Sequence, residues 1–197
     1  MTSSTLIRWG GIAAIVTGLL SIMGAVILLR YGEPPATATL TSYLYEISWG
    51  GTAALSAVFA LAIRQVHVEY GRDFGRLGKL AVFLVVLSGV LFTVKTLIVL
   101  VSLVTGANIP FVIMPLFMLP GTVGGLAGPV LLGIAILRAR VMPAWFGWLQ
   151  TLSVPLMLAT NGLGYGGVTV GLIFIILGSA LLLGRMVRNA APVPRAA

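Results

Sequence analysis

A single lysine interrupts the apolar run LFTVKTLIVL at residues 91–100. Lys95 points most directly to chemistry, because a charged amine at the middle of a helix in lipid costs about 2.5–3.5 kcal/mol on insertion scales. Counting from Lys79 at 1.5 Å per residue places it about 24 Å along its helix, in the outer half of a hydrocarbon core about 30 Å thick. From there the stem can snorkel outward. A second way to offset the cost is an ion pair: Glu46, counted back from Arg64, lies about 27 Å from its own boundary and so at a matching depth. Ser88 and Ser102 flank Lys95 at one-heptad spacing, near the same helix face, which predicts a polar stripe turned into a bundle. A third use for the amine is to attract an anionic headgroup or carboxylate. Lys95, Glu46, Ser88 and Ser102, with Tyr43 and Trp49 at the outer interface, are therefore the candidate ligand-binding residues.

Other chemistry is poorly supplied. The chain has no cysteine, which removes disulfides, thiol catalysis and iron–sulfur ligation. Its one histidine, His67, falls in the basic segment RQVHVEYGRDFGR (64–76), where it reads as a solvated loop residue. A bis-histidine haem is excluded, no metal-ligand spacing occurs, and no cofactor is implied. GLGYGG (162–167) matches a dinucleotide-binding pattern in letters, yet it follows an apolar segment rather than a strand and so reads as a turn. No nucleophile elbow, P-loop or paired-carboxylate constellation appears, and no residue is assigned a catalytic role.

The elements that must position these residues follow from composition. Apolar residues make up 59% of the 197 and charged residues only 8%, with charge-free runs from Thr96 to Leu137 and from Val141 to Gly184. Runs of that length imply membrane spans rather than a soluble core. Six spans are expected, at about 9–29, 43–64, 79–105, 116–137, 143–160 and 165–184, forming one membrane domain over 1–197. They are helices, because a chain in lipid must satisfy its backbone hydrogen bonds within each span and alternating barrel strands are absent. The fold class is thus an all-α polytopic membrane helix bundle of six transmembrane helices. An alternative for the first span, a cleaved signal peptide ending near ATA (36–38), conflicts with an apolar run from Trp9 to Leu29, longer than a signal core.

The net charge of +8 comes from short basic clusters between apolar runs, a topology signal rather than a nucleic-acid surface. Arg8, Arg64, Arg72, Arg76, Lys79, Arg138, Arg140, Arg185, Arg188 and Arg195 fall on one side, and Arg30 alone on the other. By the positive-inside rule both termini are cytoplasmic. Trp9, Trp145 and Trp148 fit the inner aromatic belt, and Tyr43, Tyr45 and Trp49 the outer one.

Association in lipid leans on small residues that let backbones approach. Gly121 with Gly125, Gly124 with Gly128, and Gly167 with Gly171 recur at one-turn spacing, and Gly50, Ala53, Ala57 and Ala60 share one side of the second span. These serve packing within one bundle or a homodimer interface. Pro110, Pro115 and Pro120 at the start of the fourth span argue against one straight helix. They predict an apolar cap at the outer surface that walls a pocket or, alternatively, a kinked start with no ligand. WGGIAA (9–14) and WGGTAA (49–54) begin the first two spans, which raises an inverted repeat, although so few letters in biased composition fit coincidence.

LIRWGGIAAIVTGLLSIMG (6–24) and MPAWFGWLQ (142–150) resemble phrases of small, uncharacterised multi-helix bacterial integral membrane proteins. The resemblance covers under a sixth of the chain; it implies a bacterial cytoplasmic membrane and no activity. Three functions follow. The first is a non-catalytic accessory or assembly subunit, or a lipid-binding component, of a membrane complex, with membrane lipids and other subunits or itself as partners and no nucleic acid. The second is a small transporter or binder of an anionic or amphipathic ligand in an outer-half pocket near Lys95. The third is a membrane-embedded lipid or isoprenoid enzyme. The charge asymmetry makes a direct prediction: reporter tags on both termini are accessible from the cytoplasmic side only, and tags read from opposite sides would reject an even number of crossings.

Overall fold

The computed structural model describes residues 3–33, 39–70, 74–107 and 113–183. They form six helices: α1 (Ser3–Tyr31), α2 (Leu40–Glu69), α3 (Gly75–Thr105), α4 (Ile113–Ala139), α5 (Ala144–Asn161) and α6 (Gly166–Leu182). Each covers one of the expected apolar segments. By length and composition α1 to α4 can each cross a membrane; α6 is a shorter apolar helix, and α5 has 18 residues. The protein is a multi-pass membrane helix bundle.

Local chemistry sets the helix ends. Thr39 caps α2 by accepting the Ser42 N–H at 3.1 Å. α3 stops at Gly106, whose φ of 69° turns its N–H back onto the Ser102 carbonyl at 2.8 Å, a left-handed cap that favours glycine. α2 runs past Arg64 to Glu69, so His67 lies in a helix rather than in a solvated loop. α4 is continuous from Ile113. Pro115 sits in its first turn, where the missing donor has no intrahelical acceptor to lose, and Pro120 and Pro129 are accommodated further in. Pro110 and the rest of the proposed cap at 108–112 lie outside the described residues.

Every helix packs antiparallel on its neighbours in sequence, and α6 returns to pack on α1, which closes a ring. Close backbone approach makes these contacts. A Cβ on Gly124 would fall 2.7 Å from the Leu84 carbonyl oxygen, and one on Gly128 would fall 2.7 Å from Val85 Cγ2, so this ridge of α4 lies against α3. Gly121 faces Phe92, and a Cβ on Gly125 would fall 3.1 Å from Ser88 Oγ. On α6, Gly171 lies against the Gly18 carbonyl and Ile22, and Gly167 against Ser21 and Ala25, both on α1. Lipid offers no hydrophobic drive for helices to associate, so such contacts carry much of the association through dispersion.

We call the end carrying Arg8, Arg64, Arg76, Lys79, Arg138 and Arg140 the basic end, and the opposite one the far end. The ring is filled at the basic end. Phe59, Ile63, Leu132, Ile136, Phe146 and Leu177 are all at most 1% exposed, and Phe59 touches Phe146 and Phe174 with ring centroids 6.3 and 5.5 Å apart. His67 is buried in the same half: Nδ1 is 2.9 Å from the Ile63 carbonyl, and its ring stacks on Phe74 at 4.2 Å.

The α3–α4 contact is tight enough to test with one methyl group. Gly124→Ala should lower stability by about 1–3 kcal/mol despite the better helix propensity of alanine. Gly162→Ala, at a helix-like φ of −60° with nothing within 4 Å of the added carbon, should stay within about 0.5 kcal/mol. Thermal unfolding of the two variants in one detergent checks the contrast, and equal shifts would reject it.

Candidate functional site

Lys95 and Glu46 meet. The ammonium donates to Glu46 Oε1 at 2.9 Å and to Oε2 at 2.7 Å, a two-oxygen grip across the α2–α3 seam. The side chains are 18% and 13% exposed, so the pair is largely removed from solvent and lipid. One turn along α2, Gly50 lets the helices close: a Cβ there would fall 2.7 Å from Thr96. Two turns along, Gly89 of α3 accepts Ala53 and Ala57. The charge pair and the small-residue row therefore belong to one interhelical seam.

The other sequence candidates separate. Ser88 faces the bundle, and its buried hydroxyl donates to the Gly121 carbonyl at 2.7 Å, tying α3 to α4. Ser102 sits instead in the last turn of α3, where its hydroxyl donates to the Ala107 carbonyl. Tyr43 is half-buried. Trp49 is half-exposed and packs edge-on against Tyr45 at 6.2 Å.

Beside the seam lies a cavity of about 250 Å³ in the far half of the ring, just below the volume usual for small-molecule sites, about 300–1,000 Å³. All six helices contribute to its wall. Leu28, Tyr45, Trp49, Asn161 and Gly164 line it near the far end; Thr52, Ser56, Val154 and Met157 line its middle; Phe59, Leu132, Gln150 and Phe174 form the floor. Among the described residues no charged side chain lines it. Lys95 and Glu46 are off this wall, and the α3 and α4 contributions come from Val85, Ser88, Gly89, Phe92, Gly125, Pro129 and Leu132, at mid-helix rather than from the proline-rich start of α4. Ser88 and Trp49 are the two sequence candidates that reach the cavity.

The hydroxyls on the wall are mostly engaged with backbone. Ser21 donates to Gly167 O at 2.9 Å, Ser48 to Tyr45 O at 2.7 Å, Ser56 to Thr52 O at 2.6 Å and Ser153 to Gln150 O at 2.7 Å. With Ser88 also bound to a carbonyl, no lining serine has a general base beside it among the described residues, which leaves none activated as a nucleophile. Two lining residues each carry a fully buried atom without a hydrogen-bond partner: Gln150 Oε1 and Thr52 Oγ1. Sequence reading passed over both because it followed formal charge. The signal was present: Gln150 is the only glutamine in the charge-free run from Val141 to Gly184, and Ser48, Thr52 and Ser56 recur once per turn on one face of α2.

Among the described residues no group of three or more His, Asp or Glu side chains is gathered as a metal ion would require. Fold and site together define a multi-pass membrane helix bundle built round an uncharged, largely apolar cavity. No family model, no curated protein and no solved structure matches the chain.

The seam predicts a non-additive response. Glu46→Gln leaves Lys95 without its counter-charge and should cost about 1–3 kcal/mol, between the values for exposed and fully buried pairs. Lys95→Met should cost a similar amount, and the double variant should be more stable than the sum of the two losses implies. Unfolding midpoints of the four proteins measure the coupling; strict additivity would show that the pair contributes nothing.

Proposed function

We propose that this protein is a non-catalytic lipid-binding component of the membrane, which holds an uncharged, mainly apolar molecule in the far half of its helix ring. The cavity carries this reading. All six helices contribute to its wall, and its surface is mainly apolar, with glycines and neutral polar side chains among the aliphatic and aromatic ones. An aromatic floor separates it from the basic end. That floor favours retention over passage, since a conducting path would need an opening where Phe59, Phe146 and Phe174 meet. An anionic ligand at Lys95 has weaker support, because the amine is already gripped by Glu46 and is not on the cavity wall. The positive-inside distribution supports cytoplasmic termini and an even number of crossings, and with that orientation the cavity would lie towards the outer leaflet. The sequence resemblance supports a bacterial cytoplasmic membrane. A role as a subunit is compatible with ligand retention, since a bound lipid can form part of an interface between chains.

Purification in mild detergent followed by organic extraction and mass spectrometry tests the proposal. The expected result is a neutral hydrophobic molecule at near-stoichiometric amount in the wild type and a large loss of it in Val154→Phe, whose larger ring occupies the cavity. Equal lipid content in the two folded proteins would reject a cavity-bound ligand.

A further inference from the structure

The cavity has a direction as well as a size. At its floor Phe59 and Leu132 are 1% exposed and Phe174 is 7% exposed, whereas Trp49, which lines it near the far end, is 51% exposed and Asn161 at that end is exposed too. The space is therefore closed with carbon towards the basic end and reached from the far end. Its length follows from the strips of wall that each helix supplies. On α1, α3, α4 and α6 the lining positions cover two helical turns, as from Ser21 to Leu28 and from Val85 to Phe92, or about 10 Å of axis. On α5 they run from Gln150 to Asn161, about 16 Å, and on α2 from Tyr45 to Phe59, about 21 Å. The space is thus a shaft along the bundle axis. An apolar cavity of about 150 Å³ holds benzene, so in proportion one of about 250 Å³ holds about ten carbon atoms. Ten carbons in an extended zigzag of bonds of about 1.5 Å measure about 11 Å, which matches the shaft, while the same carbons gathered into fused rings are shorter and wider.

Resting on the reading that the cavity holds a lipid, we infer that its ligand is a neutral single-chain amphiphile, with one linear hydrocarbon chain running down the shaft to the Phe59–Leu132–Phe174 floor and its polar head at the far end. The shaft gives a polar group nothing to hold. Among the described residues no charged side chain lines it, the five lining serines direct their hydroxyl hydrogens at backbone carbonyls, and the unpaired atoms of Gln150 and Thr52 are themselves buried. A head carried to the floor would lose its hydration without replacement. At the far end it keeps the hydration of the interface, beside the Tyr45, Trp49 and Asn161 side chains that line that end. In lipid no hydrophobic gain draws a chain inward, so the drive is the dispersion contact that an empty shaft forfeits, and it favours a shape that fills the length without widening it. A second chain on the same head finds no volume left.

Full-length protein in nanodiscs of a long-chain phospholipid, loaded with 1-monodecanoylglycerol that carries a carbene-forming diazirine either at the chain end or next to the ester, tests the assignment. Irradiation, digestion and mass spectrometry locate the label, and cavity labelling is the part removed by excess unlabelled monodecanoylglycerol. The expected result is that the chain-end diazirine marks Phe59, Leu132 and Phe174, and that the ester-side diazirine marks Tyr45, Trp49 and Asn161. Against the chain-end label at equal mole fraction, decalin should compete about fivefold or more less well than decane, the lower end of what overfilling a packed site costs. Didecanoylglycerol should fall behind monodecanoylglycerol by a similar factor. Decalin equal to decane would overturn the linear chain, and didecanoylglycerol equal to monodecanoylglycerol would overturn the single-chain lipid in favour of one tail of a two-chain lipid. Reversed labels, or both labels at one end, would overturn the orientation. Each of those results leaves the lipid-binding reading intact, whereas no competed label on any wall residue would reject that reading itself.

Discussion

Closure of the ring by the α1–α6 contact is the constraint on which the rest depends. Six helices arranged so that each packs mainly on two neighbours leave a central space that no seventh helix fills, and the volume of the inward side chains bears on what becomes of it. At the basic end the inward positions carry Phe59, Phe146, Leu132, Ile136 and Leu177, and the space is packed. Towards the far end they carry Gly24, Ala25, Ser48, Ala53 and Ser56, and it stays open. The cavity is thus a consequence of residue size distributed along the helices, with no loop or insertion needed to make it. The same small residues that permit close helix contact around the ring leave its middle hollow.

Charge and cavity have been kept apart. The Glu46–Lys95 pair sits in the α2–α3 seam, where Gly50 and Gly89 bring the backbones together on the same line of contact. Its bidentate geometry fixes the axial position of one helix against the other, since a shift by a turn would separate both charges in a medium that solvates neither. With Lys95 neutralised inside the seam, the polar side chains on the cavity wall among the described residues are all uncharged: hydroxyls, the Trp49 indole, and the amides of Gln150 and Asn161.

The helical bundle was legible in the sequence because its causes are local: apolar runs of membrane length, breaker-rich connections, and glycines at one-turn spacing. The meeting of Glu46 and Lys95 was legible too, since equal depth on consecutive antiparallel helices leaves few other partners. His67 was misplaced because its segment is dense in charge, and only the path of α2 to Glu69 shows that the ring turns inward onto Phe74. The cavity could not be read from any one segment. Which of Thr52, Gln150, Ser153 and Met157 face one another depends on the ring order and on the rotation of each helix, and sequence periodicity gives the face of a helix without naming what it faces. Formal charge drew the eye to Lys95, whereas Thr52 and Gln150 are neutral residues of α2 and α5.

The unequal lengths of the helices bear on how this ring meets its bilayer. α2 and α3, at 30 and 31 residues, extend about 45 Å, while α6 with 17 covers only about 26 Å, less than the usual hydrocarbon thickness. One flank is long enough to lean and the other falls short of that thickness, a mismatch that thinning of the bordering lipid would relieve. A collar of thinned membrane on that side would draw in shorter-chain lipids and bias which neighbours settle there, giving the molecule a distinguishable front and back within the plane of the membrane.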